Sequence, residues 1–117
     1  MNIAIIGTSK ITEEHIWALK KTNFKIIALS STRKNSKNLN YLKKKFKIKK
    51  VFTNWKECIN FSKKINDLSF YLTTRIEDNK KILEACCLTK KKYLLKNQYL
   101  IIPKILINSL NLPKRYL

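Results

Sequence analysis

Short apolar runs alternate with stretches of helical period five times along this chain, and nothing else in it restricts the fold so much. Residues Asn2–Ile6 are mostly apolar, end at Gly7, and read as a buried strand. From Ile11 to Lys21, the residues Ile11, Ile16 and Leu19 share one helical face, while Glu13, Glu14, Lys20 and Lys21 face water. Thr12 is expected to cap this helix, and the glutamates near its start suit the helix dipole. "FKIIALS" is a second strand, apolar enough to be covered on both faces. The polar loop "TRKNSKN" leads into a helix from Asn38 to about Lys47 that carries Leu39, Leu42 and Phe46. Tyr41 is also spaced as if on its buried face. "KKVFTN" supplies a short third strand, after which Asn54 caps a helix running through Trp55, Cys58, Ile59 and Phe61 or Ile65. "DLSFYLTT" is a fourth strand, Glu77–Lys90 a fourth helix with Ile82, Leu83, Cys86 and Cys87 inward, and "KKYLL" a fifth strand.

Such repetition marks an α/β fold: an open, doubly wound, mostly parallel sheet with right-handed crossovers. We expect five or six strands in the order 3-2-1-4-5, in a single domain over residues 1–102 with a short tail over 103–117. Ligands in such sheets sit at the carboxyl ends of the strands, where the strand order reverses. That edge would be formed by Gly7–Ile11, Ser30–Lys34, Thr73–Arg75 and Asn97. Gly7, the only glycine of the 117 residues, would make the tight turn that brings a phosphate to a helix N-terminus, where free N–H groups attract negative charge.

The charge points in two directions. With 26 Lys and Arg against 7 Asp and Glu, the formal net charge is +19, which suits a polyanionic partner, nucleic acid above all. Yet all the cations but Arg33, Arg75 and Arg115 are lysines, spread from Lys10 to Lys114, and Asn and Ile are abundant as in an AT-rich coding sequence. Dedicated nucleic-acid modules add arginine forks and aromatic platforms, so only non-specific nucleic-acid binding at low salt is expected. No apolar run reaches the length of about 18 residues needed to cross a bilayer, and the N-terminal run is too short for a signal peptide. Cys58, Cys86 and Cys87 lack metal-ligand spacing and His15 is the sole histidine, so no metal site is expected; reduced thiols fit a cytoplasmic protein.

Four stretches, "IAIIGTSKITEEHIWALKK", "IIALSSTRKNSKN", "VFTNWKECI" and "FYLTTRIEDNKKILEACCLTKKKYLLKNQYL", taken in this order, carry a likeness. Together, over about Asn2 to Leu100, they resemble the N-terminal Rossmann domain of the glucose–fructose oxidoreductase/inositol dehydrogenase (Gfo/Idh/MocA) family of NAD(P)-dependent oxidoreductases. The resemblance implies a dinucleotide held by Gly7, Thr8, Ser9, Lys10 and Ile11 after the first strand. It also implies contacts from Ser31, Thr32 and Arg33 after the second, Thr73 and Thr74 after the fourth, and Asn97 after the fifth. The departures matter as much. The second turn glycine of the family falls on Ser9 and the third small position on Thr12. The family's Glu-Lys-Pro aligns with Lys96-Asn97-Gln98, so Asn97 occupies the lysine position, and the helix-start histidine falls on Asn79. An asparagine has no ammonium to donate a proton or stabilise developing negative charge, so no catalytic residue is assigned.

The family continues into a second domain that walls the substrate site, whereas this sequence stops at Leu117. The expectation is therefore a truncated or degenerate dinucleotide-binding domain that is not an autonomous oxidoreductase. The alternative is a small basic α/β protein that binds nucleic acid or another polyanion. The dinucleotide expected is NAD(P), with NADP favoured. No acid lies between Glu14 and Glu57 to grip the ribose hydroxyls, while Ser31, Thr32 and Arg33 suit a 2′-phosphate. "YLIIPKILI" is expected to expose apolar groups where the family's second domain docks, for a protein partner or self-association.

Overall fold

A computed structural model describes residues 2–73, 80–89, 92–95 and 100–101. Strand β1 (Asn2–Ile6) leads to helix α1 (Thr12–Lys20), β2 (Lys25–Ser30) to α2 (Lys37–Phe46), and β3 (Lys50–Phe52) to α3 (Trp55–Ser62). Then follow β4 (Leu68–Leu72), α4 (Lys80–Leu88), β5 (Lys92–Leu95) and β6 (Leu100–Ile101). Among the described residues, one sheet holds six strands in the order β3-β2-β1-β4-β5-β6. The neighbours from β3 to β5 pair in parallel, and β6 runs antiparallel to β5. The expected order 3-2-1-4-5 is thus present, with one short strand added at its end.

The two central strands are the most apolar because helices cover both sheet faces. Period-two alternation divides their side chains. Ala4, Ile6, Phe70 and Leu72 pack with Cys58, Ile59, Ile82, Leu83 and Cys86 from α3 and α4. Ile3, Ile5, Leu29 and Tyr71 pack with Ile16 and Leu19 of α1 and with Leu39, Leu42 and Phe46 of α2. Truncating one of these large aliphatic residues to alanine costs about 2–5 kcal/mol. Cys58 and Cys86 are core residues, as expected; the side chain of Cys87 lies outside the described residues.

Three local expectations are corrected. Thr12 does not cap α1: it is the first helical residue, the N-cap position is Ile11, and Thr12 is buried. Ile11 is 38% exposed rather than part of the buried stripe, because the chain there is still turning, with the Thr12 N–H donating to the Ser9 carbonyl. Tyr41 is 48% exposed; the buried stripe of α2 is Leu39, Leu42 and Phe46, and Tyr41 falls on its flank. Helix α2 is capped by Ser36, whose Oγ accepts from the Leu39 N–H at 3.2 Å, and α3 by Asn54, whose Oδ1 accepts from Lys56 at 2.9 Å. The expected start of the fourth helix, Thr74, Asn79, Asn97 and the "YLIIPKILI" stretch apart from Leu100 and Ile101 lie outside the described residues. Among the described residues, no helix is long and apolar enough to cross a membrane.

Candidate functional site

The strand order reverses between β1 and β4, which lie side by side at the centre of the sheet. The carboxyl ends of these two strands and of β2 converge there. The Gly7 N–H donates to the Ser30 carbonyl at 2.8 Å, and the Thr73 N–H donates to the Ile6 carbonyl at 3.1 Å. Gly7 is buried and its φ is 124°, a conformation that a Cβ disfavours. The only glycine of the chain therefore stands where the backbone needs one, and the turn it makes carries Thr8, Ser9, Lys10 and Ile11 toward α1.

Hydroxyl groups fix the inner side of this turn. The Thr12 Oγ1 donates to the Gly7 carbonyl at 3.2 Å and lies 3.0 Å from the Thr73 Oγ1. The Thr73 Oγ1 also reaches the Ile6 carbonyl, at 3.5 Å, so the two hydroxyls share the carbonyls at the ends of β1 and the turn. The Ser9 Oγ donates to the Thr73 carbonyl at 3.4 Å. A small β-hydroxy residue at position 12 thus ties helix α1, the turn and the end of β4 together.

The outer side is pinned from α2. The Asn38 Nδ2 donates to the carbonyls of Thr8 and Ser9, at 2.8 and 3.0 Å, and the Ser36 Oγ lies 2.8 Å from the Thr8 Oγ1. Sequence reading missed Asn38 and Ser36 as parts of the site. The available signal was a pair of short polar side chains flanking the start of α2, in the polar loop "TRKNSKN".

After β2, the loop divides its polar residues between inside and outside. Ser30 and Ser31 are buried; the Ser31 Oγ donates to the Arg33 carbonyl at 2.6 Å, and the Ser31 N–H donates to the Phe52 carbonyl at 3.0 Å. Thr32, Arg33 and Lys34 are exposed. Ser31 accordingly shapes the loop, and Thr32 and Arg33 are its outward-facing polar groups. Structure thus brings together Gly7, Thr8, Ser9 and Thr73, with Lys10 and Ile11 exposed on the same turn; Thr74 and Asn97 lie outside the described residues.

The electrostatics of the edge are set by cations. Lys10, Arg33 and Lys34 are exposed, and Glu13, in the first turn of α1, is engaged by Lys45 at 2.6 Å and by the Tyr41 hydroxyl at 2.6 Å. The hydrogen bond from Lys45, then that from Tyr41, holds the Glu13 carboxyl below its ordinary range. Behind the turn, the His15 Nδ1 and Tyr71 Oη are 2.6 Å apart, and burial raises the Tyr71 phenol above its ordinary value. Among the described residues, no group of His, Cys, Asp and Glu is arranged to hold a metal ion. What this edge offers is a tight turn, a helix N-terminus, hydroxyls and exposed cations, a combination suited to binding a phosphorylated ligand.

No protein-family model and no curated protein matches the sequence. Solved structures do match. One is an oxidoreductase from Agrobacterium radiobacter in complex with NAD+, L-tartaric acid and magnesium, with a TM-score of 0.70 at 14% identity over 81% of this chain and 27% of that one. A probable dehydrogenase from Thermotoga maritima follows at 0.68 and 22% identity, over 81% and 27%. Biliverdin reductase from Synechocystis sp. PCC 6803, in complex with biliverdin and NADP+, gives 0.64 at 16% identity over 80% and 28%. The chain thus spans little more than a quarter of the length of these proteins. Likeness at such identities concerns the fold alone: this chain has the Rossmann-like α/β fold that occupies about a quarter of each of these proteins.

Proposed function

We propose that this chain is a dinucleotide-binding domain that takes NAD(P) at the carboxyl edge of β1, β2 and β4 and does not, as these 117 residues, carry out oxidoreduction. The observation that carries the reading is the Gly7 turn, held at the switch point of the sheet by Thr12 and Thr73 on one side and Asn38 on the other. Neighbours of the same fold hold NAD+ or NADP+ in their complexes, which supports a nicotinamide dinucleotide. The proposed contacts are Gly7, Thr8, Ser9, Lys10 and Ile11 toward the pyrophosphate, Thr32 and Arg33 toward the adenosine ribose, and Thr73, Thr74 and Asn97 toward the nicotinamide side.

NADPH is the preferred form in this reading. The segment from residue 15 to 56 contains no acid to accept from ribose hydroxyls, while the Arg33 guanidinium is exposed and able to fork onto a 2′-phosphate. Isothermal titration with NADPH and NADH tests this: NADPH should bind about tenfold more tightly, the worth of one charge-assisted bond, and Arg33→Ala should erase most of the gap. Absence of binding by either dinucleotide would overturn the assignment of the site, and equal affinities would overturn the role of Arg33.

Catalytic silence rests on Asn97 at the position of the family lysine. The chain should neither reduce nor oxidise the nicotinamide with sugars, inositols or other polyols, and Asn97→Lys alone should not restore turnover. Dinucleotide turnover proportional to protein concentration would contradict this. Residues 99–107 are proposed to meet a protein partner or a second copy, with association increasing as salt screens the net charge of +19.

A further inference from the structure

The cations of this chain are unevenly placed. Residues 15–56 contain thirteen of the 26 lysines and arginines and none of the seven acids. This segment builds most of α1 and all of β2, α2 and β3, so the excess lies in one half of the sheet, away from β4. On its surface, between α1 and α2, two large rings are left open: Trp17 is 50% and Tyr41 48% exposed. The Lys45 ammonium lies 5.8 Å from the Trp17 ring centre and 5.4 Å from that of Tyr41. Trp17 meets Phe46 edge-on at 5.1 Å, and the Lys20 ammonium lies 5.7 Å from the Phe46 ring. From Phe46 and Lys20 the surface continues into a cleft of about 310 Å³, lined also by Phe24, Lys25, Ile26 and Ile48.

We propose that this seam between α1 and α2 is a binding surface for single-stranded nucleic acid, with bases stacking on Trp17 and Tyr41 and phosphates meeting Lys20, Lys25 and Lys45. Exposed aromatic faces beside a row of cations are the two elements of sequence-tolerant single-strand binding. Charge complementarity alone would serve any polyanion; the open rings select one whose bases are unpaired. Glu13 is the carboxylate within the seam, and Lys45 at 2.6 Å compensates it. The surface is formed by α1, α2 and the amino end of β2, not by the carboxyl ends of the strands where the dinucleotide is placed, so this inference does not depend on that reading.

Fluorescence anisotropy with a labelled oligothymidylate of about 20 nucleotides, over a salt series, tests the proposal against inorganic polyphosphate and a duplex of similar length. The single strand should bind more tightly than either competitor. Trp17→Ala should weaken it about tenfold while leaving the salt slope unchanged, since no cation is removed. Trp17→Phe should keep most of the affinity, and Lys20→Gln should flatten the slope. A second readout needs no ring deletion: in a Trp55→Phe chain, the remaining indole emission should be quenched by the oligothymidylate and not by polyphosphate. Equal binding of polyphosphate and single strand, preference for the duplex, or unquenched Trp17 emission on saturation would overturn it.

Discussion

At Gly7 the backbone turns with φ of 124° at a buried position, so an added methyl group meets backbone strain. Gly7→Ala should destabilise the fold by about 1–3 kcal/mol. Thermal melts should show a fall in Tm of about 4–8 °C for each kcal/mol lost, and an unchanged Tm would show that the turn has room for a Cβ. Cys58 makes a different demand. Burial pushes its thiol from 9.0 up to about 12, so the folded chain keeps a proton that the unfolded chain has already released. Its contribution is fully present below pH 9 and is lost as pH rises toward about 12. Urea melts should therefore lose up to ~1.4 kcal/mol per pH unit over that window from this thiol. A Cys58→Ala chain should show a shallower alkaline loss; an identical slope would mean that other groups govern it.

Among the elements, the turn between β1 and α1 depends most on a single hydroxyl. Thr12→Val keeps the shape and removes the donor to Gly7 and the hydroxyl partner of Thr73, leaving buried polar groups unmatched at a cost of about 1–3 kcal/mol. Thr12→Ser should cost less, because the hydroxyl remains; denaturant melts of the two variants make the comparison, and equal losses would locate the effect in the methyl group instead. The same residue shows how far the sequence could be read. The five-fold alternation was legible because each apolar run and each helical stripe is a local pattern, and the strand order was expected from the doubly wound arrangement in which a ligand turn follows the first strand. Thr12 and Ile11 were misread because their places depend on the backbone angle at Gly7 and on Thr73, sixty-one residues beyond Thr12. Tyr41 was misread because helical spacing admits both a buried stripe and its flank, and its partner, Glu13, belongs to another helix. Asn38 was invisible for the same reason: its acceptors lie about 30 residues back along the chain.

At the scale of the molecule, the fold joins a turn suited to phosphates to a strongly cationic half, and these are separate properties. The first was legible as soon as a strand, a lone glycine and a helix appeared in succession. The second was visible only as a total, because the sum of charges says nothing of where the exposed rings lie among them. The bond from Asn38 to the carbonyls of Thr8 and Ser9 has a consequence for cooperativity. It joins the unit made by β1 and α1 to the unit made by β2 and α2, so the turn cannot loosen while the first turn of α2 stays in place. In native-state amide hydrogen exchange, Leu39, whose N–H is held by Ser36, and Thr12, whose N–H is held by Ser9, should then open together with one free energy and one denaturant dependence. Asn38→Ala should split them, with Thr12 exchanging through a smaller, local opening while Leu39 keeps its protection. If the two amides already differ in the parent chain, the halves of this sheet breathe independently and the Asn38 bond is a passenger on the turn.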